Sequence, residues 1–259
     1  MGILNLTPDS FYSGSRAMDI EAVLHRVSSM LDAGADIIDI GACSTRPGSE
    51  PVCEEEEMSR LNRPLTEIRK TFPEAILSVD TFRASVAEEC LKRYNVDIIN
   101  DVSGISDPQM IDVVARHKAV YVLMHTRGTP ADMDSRCSYG DVTAEVVSEL
   151  AFKLNDLRAA GVCNIIVDPG FGFAKNTEQN LQLLSQLSRL DILGCPILAA
   201  LSRKRMTREP SGCDIDDALI PTVALNSVAL MNGASIIRVH DCREGGLTAK
   251  TIGQLWKSE

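Results

Sequence analysis

Two aspartates and an asparagine end apolar runs whose lengths suit the strands of a parallel sheet. Asp80, Asn100 and Asp168 close the runs "ILSVD", "DIIN" and "NIIVD". Their carboxylate and amide groups can exchange hydrogen bonds with a flat heterocycle that shows an amino group and a ring N–H side by side. We therefore predict that these three residues bind the guanidine-like edge of a small molecule.

Cationic side chains form a second group, mostly after the last two apolar runs. They are Arg46, Arg203, Lys204, Arg238 and His240. Such a cluster suits an anion of high charge density, for example a diphosphate. Barrels that bind phosphate through glycine-rich backbone do so after strands seven and eight, where this chain has "SRKR" and "RVHD". Side chains and a metal ion are therefore predicted to hold the anion.

Eight short apolar runs have to position these groups. They are "GILNL" (2–6), "DIIDIG" (36–41), "ILSVDT" (76–81), "DIINDVSG" (97–104), "AVYVLMH" (119–125), "NIIVDPG" (164–170), "PILAALS" (196–202) and "ASIIRVHD" (234–241). Continuous apolar strands indicate burial on both faces, as in a parallel sheet with helical crossovers. Eight such units predict an α/β fold of the (β/α)8 TIM-barrel type, whose active face lies at the carboxyl ends of the strands. A doubly wound open sheet is the alternative.

Between the runs, apolar residues recur at helical spacing, which predicts amphipathic helices. Two examples are Ile20, Val23, Val27, Met30 and Leu31 in one segment and Val146, Leu150, Leu154 and Leu157 in another. No linker, low-complexity tract or longer repeat interrupts this pattern. Residues 1–259 are therefore predicted to form a single domain.

Length, charge and cysteine content exclude several classes of protein. With 259 residues, 44% of them hydrophobic, the chain can bury a large core. A formal charge of −10 argues against nucleic acid as a partner, because phosphate backbones require a broad basic face. No apolar run approaches the roughly 20 residues that cross a bilayer, so no membrane partner is expected. The eight cysteines contain no C-x-x-C pair, which predicts reduced thiols and a cytoplasmic location.

A series of motifs in order resembles a known family. It consists of "MGILNLTPDSF", "IDIGACSTRPGSEP", "SVDT", "INDVSG", "DPGFGFAK", "LSRK" and "ASIIRVHD". From its first residue almost to its last, the chain resembles the dihydropteroate synthase family. The resemblance implies a (β/α)8 barrel that forms a homodimer. It also implies a transferase of folate biosynthesis, which joins a reduced pterin bearing a hydroxymethyl diphosphate to 4-aminobenzoate and releases diphosphate.

The resemblance also implies roles for individual residues. The pterin would lie between Asp80, Asn100, Asp168 and Lys204. Asn5 would bind the Mg²⁺ ion that accompanies the diphosphate. The phosphoryl oxygens would be held by Thr45, Arg46, Arg238 and His240, and 4-aminobenzoate would be framed by Phe11, Pro47, Phe173 and Ser202.

The reactants imply a mainly electrostatic mechanism, because an aromatic amine is a weak nucleophile and diphosphate should leave first. The expected catalytic residues are Lys204, Arg238, His240 and Asp168, and no covalent enzyme intermediate is expected. Phe11 and Pro47 lie in segments rich in Gly, Ser and Pro, which predicts loops that become ordered only when the pterin diphosphate is bound. Sulfonamides, which imitate 4-aminobenzoate, should therefore bind after it.

Three departures from the family pattern bear on these roles. Ser13 replaces a second acid in the first loop, Cys43 stands where Glu is common, and Ala174 stands where Gly is usual. None of them removes a named ligand. The reaction needs no thiol nucleophile, so Cys43 is predicted to be an inert packing residue.

Two other functions share the Asp/Asn/Asp group. A corrinoid-linked methyltetrahydrofolate methyltransferase domain would have no diphosphate to hold, and "STRPG", "SRK" and "RVHD" argue against it. A catalytically silent pterin-binding paralogue would not need Asn5, Lys204, Arg238 and His240. A diphosphate-release assay with 4-aminobenzoate would separate the three.

Overall fold

The computed structural model describes residues 1–6, 19–43, 52–129 and 131–255. Several residues singled out in the sequence lie outside these ranges. They are Phe11, Ser13, Thr45, Arg46 and Pro47. Their roles remain predictions.

Within these ranges, eight parallel strands form one sheet in which each strand pairs with the next along the chain. All eight apolar runs are confirmed as strands. This sequential order is typical of a TIM-type barrel and differs from a doubly wound sheet, in which the order reverses. The strands are β1 (Gly2–Asn5), β2 (Ile37–Gly41), β3 (Ile76–Asp80), β4 (Ile98–Asp101), β5 (Val120–Met124), β6 (Ile165–Asp168), β7 (Ile197–Ala199) and β8 (Ala234–Ile237).

Helices connect the strands, and both helical segments predicted from the spacing of apolar residues are confirmed. They are α1 (Ile20–Asp32), α2 (Glu54–Thr71), α3 (Ala84–Tyr94), α4 (Gln109–His117), α5 (Val142–Ala159), α6 (Thr177–Ser185), α7 (Leu219–Met231) and α8 (Cys242–Leu255). Short helical turns add Met133–Arg136, Leu187–Leu193, Arg205–Arg208 and Glu209–Ser211. None of the helices in the described part of the chain has the length and apolar character to span a bilayer.

The first strand contacts the backbone that follows the last strand. Gly2 pairs in parallel with Val239. The N–H of Ile3 donates to the Val239 carbonyl at 2.9 Å, and the N–H of Val239 donates to the Met1 carbonyl at 3.0 Å. The sheet is therefore curled far enough to bring its two ends together at this point.

Apolar side chains pack on both faces of the sheet. The larger cluster joins the strands to the helices. A smaller cluster on the other face includes Ile98, Val122, Ile166 and Leu198, one residue from each of four successive strands. Because side chains alternate between faces with a period of two, residues two positions later point to this same face, nearer the carboxyl ends of the strands. Asn100 and Asp168 occupy such positions on β4 and β6.

Candidate active site

The charged centre of the site is a carboxylate to which the sequence analysis assigned no role. Asp39 on β2 is fully buried. It accepts hydrogen bonds from Ser78 Oγ at 2.5 Å, from Asn100 Nδ2 at 3.1 Å and from Arg238 Nε at 2.6 Å. An acid in the middle of the buried strand "DIIDIG" was the available signal, because a charge is found there only when it is paired.

Arg238 follows β8 and joins two carboxylates. Its Nε binds Asp39, and its Nη2 binds Asp80 Oδ2 at 2.9 Å. Burial opposes the charge of the guanidinium, but Asp39 and Asp80 outweigh it and raise the pKa of Arg238. Arg238 was predicted to lie with the anion-binding cations and Asp80 with the groups that bind the heterocycle. The structure brings these two groups together through Arg238.

Burial disfavours the charged forms of two carboxylates of the site, Asp80 and Asp168. Burial is the main cause that raises the pKa of Asp80, to about 7, with Arg238 opposing the shift and Asp39 adding to it. Burial also raises the pKa of Asp168, and Lys204 opposes it. Such shifts are typical of functional sites, where groups are held in environments that a ligand later changes.

Asn100 and Asp168 are oriented by their neighbours. Because the amide Nδ2 of Asn100 donates to Asp39, its Oδ1 is the atom left to accept, and this buried oxygen has no hydrogen-bond partner among the described residues. Asp168 Oδ1 accepts from the backbone N–H of Gly170 at 2.7 Å. A buried acceptor without a partner needs an explanation, and a ligand N–H would provide one.

Lys204 faces Asp168 and the turn that follows β6. Its Nζ donates to the Phe171 carbonyl and lies 4.8 Å from the centroid of the Phe173 ring. Burial lowers the pKa of Lys204 to about 8, and Asp168 opposes the shift. The structure therefore brings Lys204, Asp168 and Phe173 together, as the sequence analysis expected.

Arg203, which was predicted to lie with the anion-binding cations, is paired elsewhere in this structure. Its guanidinium binds Asp241 through two hydrogen bonds of 3.0 and 2.8 Å and donates to the Ile215 carbonyl at 3.0 Å. Its backbone has a φ of 56° and its N–H donates to Thr222 Oγ1. The left-handed backbone turns its side chain away from its neighbour Lys204, which no residue pattern in "SRKR" could indicate.

Ser202 and His240 lie side by side at the ends of β7 and β8. Ser202 Oγ accepts from the backbone N–H of His240 at 3.2 Å and lies 3.0 Å from His240 Nδ1. The hydroxyl can donate to Nδ1 or accept from it, according to the tautomer of the ring. Ser202 therefore fixes the orientation of His240.

Asn5 ends β1 beside Asp80. A Cβ placed on Gly41 would lie 3.8 Å from Asn5 Oδ1 and 3.9 Å from Asp80 Oδ2, so both side chains flank this glycine. The amide oxygen of Asn5 is a hard donor of the kind that Mg²⁺ accepts. In the described ranges no group of three or more His, Cys, Asp or Glu could hold a metal. These donors fit an ion that takes most of its oxygen ligands from phosphate and water.

Cys43 is not poised for nucleophilic chemistry. Burial raises the pKa of its thiol to about 12, and the neighbouring carboxylate of Glu57 adds to the shift. The thiolate is the reactive form of cysteine, so this thiol is inert near neutral pH. The prediction that Cys43 serves only packing agrees with this.

The comparisons with known proteins identify the family. Residues 1–240 match the family described as pterin binding enzyme. The chain is 39% identical to the dihydropteroate synthase of Synechocystis over 264 residues, which cover 99% of this chain and 90% of that protein. The chain belongs to the dihydropteroate synthase family of pterin-binding enzymes.

Other relatives of the family are longer than this chain. It is 40% identical to the folic acid synthesis protein fol1 of Pneumocystis carinii over 266 residues, which are 99% of the chain but 36% of that protein. The chain thus spans about a third of this relative.

Solved structures of the family superpose along the whole chain. A Yersinia pestis dihydropteroate synthase with a sulfonamide drug gives a TM-score of 0.91 at 35% identity and covers 100% of this chain and 93% of its own. The Thermus thermophilus enzyme in complex with 4-aminobenzoate gives 0.86 at 39% identity, with the same coverage of 100% and 93%.

Proposed function

We propose that this chain acts as a dihydropteroate synthase. It would transfer the methylene-linked reduced pterin from its diphosphate to the amino group of 4-aminobenzoate. The observation that carries the proposal is the largely buried group of Asp39, Asp80, Asn100, Asp168 and Arg238 at the carboxyl ends of the strands. Relatives crystallised with 4-aminobenzoate and with a sulfonamide drug support it.

The pterin would bind to the carboxylate and amide acceptors. Its amino and ring N–H groups match Asp168, Asn100 Oδ1 and Asp80, which are largely buried and are oriented before any ligand arrives. Lys204, which faces Asp168, would donate to a pterin oxygen or nitrogen. Binding of a neutral heterocycle edge would partly replace the water that burial has removed from these carboxylates.

The anion-binding groups would assist departure of the diphosphate. The C–O bond to the diphosphate breaks, the amine nitrogen of 4-aminobenzoate forms the new C–N bond, and its proton is lost to solvent. Arg238 and His240 would hold the phosphoryl oxygens as charge develops on them, together with Thr45 and Arg46 from the segment outside the described residues. Mg²⁺ bound by Asn5 would supply further neutralisation of the leaving group.

Binding of the diphosphate would require Arg238 to change partners. Its Nε and Nη2 are engaged by Asp39 and Asp80. A pterin that binds Asp80 would release one of these contacts, and a phosphoryl oxygen would then accept from the freed N–H. The two halves of the substrate would therefore assist each other's binding through this arginine.

4-Aminobenzoate would bind beside Phe173 and Ser202, which lie near Lys204 and His240 respectively. Phe11 and Pro47 are proposed to complete this pocket. A sulfonamide should then bind tightly only with pterin, diphosphate and Mg²⁺ present. Calorimetric titration of one sulfonamide with and without that mixture tests the proposal, and equal affinities would contradict it.

We also infer a closed barrel, a single domain and a homodimer. The bridge between Gly2 and Val239 supports closure.

On α7 the buried positions include Thr222 and Asn226, whereas Ile220 is 80% exposed. Val228 and Met231 are also exposed, as is Leu247 on the neighbouring α8. An apolar surface of this kind fits a second copy of the chain. Eight cysteines without a disulfide support a cytoplasmic location.

The decisive experiment is a coupled assay of diphosphate release with reduced pterin diphosphate, 4-aminobenzoate and Mg²⁺. Release that depends on 4-aminobenzoate is the expected result. Pterin binding without release would indicate a silent paralogue, and methyl transfer from methyltetrahydrofolate would indicate the corrinoid-linked alternative. Either outcome would refute the proposal.

The metal proposal has its own test. Asn5→Ala should raise the Mg²⁺ concentration needed for half-maximal rate, because the ion loses a protein ligand. Asn232→Ala is a matched control, since its amide donates to the Leu184 carbonyl at 2.9 Å and has no place in the site. An unchanged Mg²⁺ requirement in Asn5→Ala would remove this residue from the metal site.

A further inference from the structure

Lys175 ends the motif "DPGFGFAK" and has no role in the proposed reaction. It is only 2% exposed, which is rare for a lysine. Its Nζ lies 3.0 Å from three acceptors, which are the Gly170 carbonyl, the Phe173 carbonyl and His125 Nδ1. An ammonium group has three N–H donors, so these contacts account for all of them.

The contact with Lys175 fixes the protonation of His125. Because Nδ1 accepts from the ammonium, the ring proton must be on Nε2, which lies 3.0 Å from Glu149 Oε2 and can donate to it. Burial and the charge of Lys175 lower the pKa of His125 to about 4, in agreement with a neutral ring. Glu149 is in turn bound by Arg127. Lys175 is thus supported by a chain of oriented groups.

The turn that Lys175 holds is strained and lies against the site. Gly170, Gly172 and Ala174 all have positive φ, and for Ala174 the value is 49°. A left-handed alanine is sterically unfavourable, so the end of the turn requires contacts that compensate. The same turn supplies the N–H that orients Asp168 and the ring of Phe173 that lies beside Lys204.

Lys204 also binds this turn, through the Phe171 carbonyl. Under the proposed function, however, Lys204 turns to the pterin when substrate binds. Lys175 is buried beneath the turn and keeps its partners in either state. It is therefore the cation that can hold the turn during the reaction.

We propose that Lys175 is a positioning residue that fixes the turn 170–173 as a wall of the 4-aminobenzoate pocket, supported by His125 and Glu149. The inference rests on the proposed function for the identity of the ligand. The anchoring of the turn does not depend on it and can be measured separately.

The test compares Lys175→Met with the parent at pH 6.5, below the pKa of about 7 to which burial lowers Lys175. We expect the KM for 4-aminobenzoate to rise about tenfold, the scale of losing one hydrogen bond from a charged group, while the KM for the pterin diphosphate changes less than about twofold. Arg69→Met is the matched control, because Arg69 also binds loop carbonyls but at the amino ends of β3 and β4. It should change neither KM.

Glu149→Gln provides a second variant on a side chain that is 38% exposed. Glutamine has nearly the same shape as glutamate but no charge, so it should bind His125 and Arg127 more weakly. The KM for 4-aminobenzoate should therefore rise about threefold. In both variants, hydrogen exchange in peptides covering 168–176 should become faster. If the parent forms no dihydropteroate, the proposed function fails and this exchange still tests the anchor. Unchanged exchange, or an equal rise of both KM values, would overturn the inference.

Discussion

The two ends of the strands each hold a partly buried arginine, and the arginines differ in what they bind. At the amino ends, Arg69 uses all five of its N–H donors. Its partners are the carbonyls of Pro73, Ala75, Tyr94 and Asn95 and the carboxylate of Asp97. At the carboxyl ends, Arg238 binds two carboxylates through Nε and Nη2, the only N–H groups of this side chain with partners among the described residues.

The difference separates a structural arginine from a functional one. Four of the five partners of Arg69 are backbone carbonyls, which are fixed neutral acceptors, and a cation that binds them holds loops together. Carboxylates are charged and titratable, and a ligand can compete for them or for the arginine. The raised pKa values of Asp80 and Asp168 show that this end of the sheet keeps its charges at a cost in stability.

The largest effect should come from removing each arginine in turn. Arg238→Met should lower turnover by about 10²-fold or more, because the developing charge of the diphosphate loses a donor. Arg69→Met should instead lower the free energy of unfolding by on the order of 2 kcal/mol and leave the turnover of the folded protein unchanged. Steady-state rates and urea unfolding of both variants measure this. Loss of turnover in Arg69→Met would remove the distinction.

Asp39→Asn tests whether one carboxylate serves both groups of ligands. The substitution keeps the shape but removes the charge that holds Arg238 Nε and Asn100 Nδ2. Turnover and affinity for free pterin should each fall about tenfold, the scale of a lost charge-assisted hydrogen bond. Ser78→Ala removes the third partner of Asp39 and should affect neither. Equal effects of the two variants would show that Asp39 serves only the core.

Asp80→Asn should change how stability depends on pH. The pKa of Asp80 is raised from 3.8 to about 7 in the folded protein, so the folded state binds more protons than the unfolded state between these values. Its contribution to stability is therefore lost as pH rises through this window. The gain in unfolding free energy of Asp80→Asn over the parent should grow by about 4 kcal/mol between pH 4 and 8.

Asp132 provides the control of opposite sign for this measurement. Hydrogen bonds from Thr129 lower its pKa to about 2, so its contribution is present at neutral pH and lost toward pH 2. Asp132→Asn should therefore lower the melting temperature at pH 7 and have little effect at pH 2. If the melting temperature of Asp80→Asn changed with pH in the same way as that of the parent, the raised pKa of Asp80 would be contradicted.

The smallest effect concerns backbone strain in the turn after β6. Ala174→Gly should raise the free energy of unfolding by about 0.5–1 kcal/mol, because glycine adopts a φ of 49° without steric cost. Turnover should not change. The control is Gly161→Ala, where φ is 86° and an added Cβ would contact none of the described residues within 4 Å. Gly161→Ala should lower the melting temperature. A lower melting temperature of Ala174→Gly as well would show that the backbone at Ala174 is not strained.

The sequence predicted the strands and the acceptor residues for local reasons. Runs such as "DIIDIG" and "NIIVDPG" are short, continuous and β-branched, and a buried parallel strand requires all three properties. Asp80, Asn100, Asp168 and Lys204 were found because strand ends converge in any TIM-type fold. The motif resemblance then supplied roles that residue types alone would have left open.

The partners of each charge could not be predicted in this way. Arg203 was grouped with the anion-binding cations, yet it pairs with Asp241, which is 38 residues away in sequence. Asp39 was given no role of its own, and its separation of 199 positions from Arg238 gave no local sign of their contact. Lys175 was quoted in its motif without a role for the same reason.

The sequence by itself determined the order of the strands, the helical connections and the set of groups at the carboxyl ends, since these follow from local hydrophobic periodicity and from a fold in which neighbours in sequence are neighbours in space. Only the tertiary structure decided which cation meets which carboxylate and which lysine is buried. Those choices depend on distances across the sheet and on the left-handed residues Arg203 and Ala174. Electrostatic energy varies steeply with both separation and burial, and neither can be read from spacing along the chain.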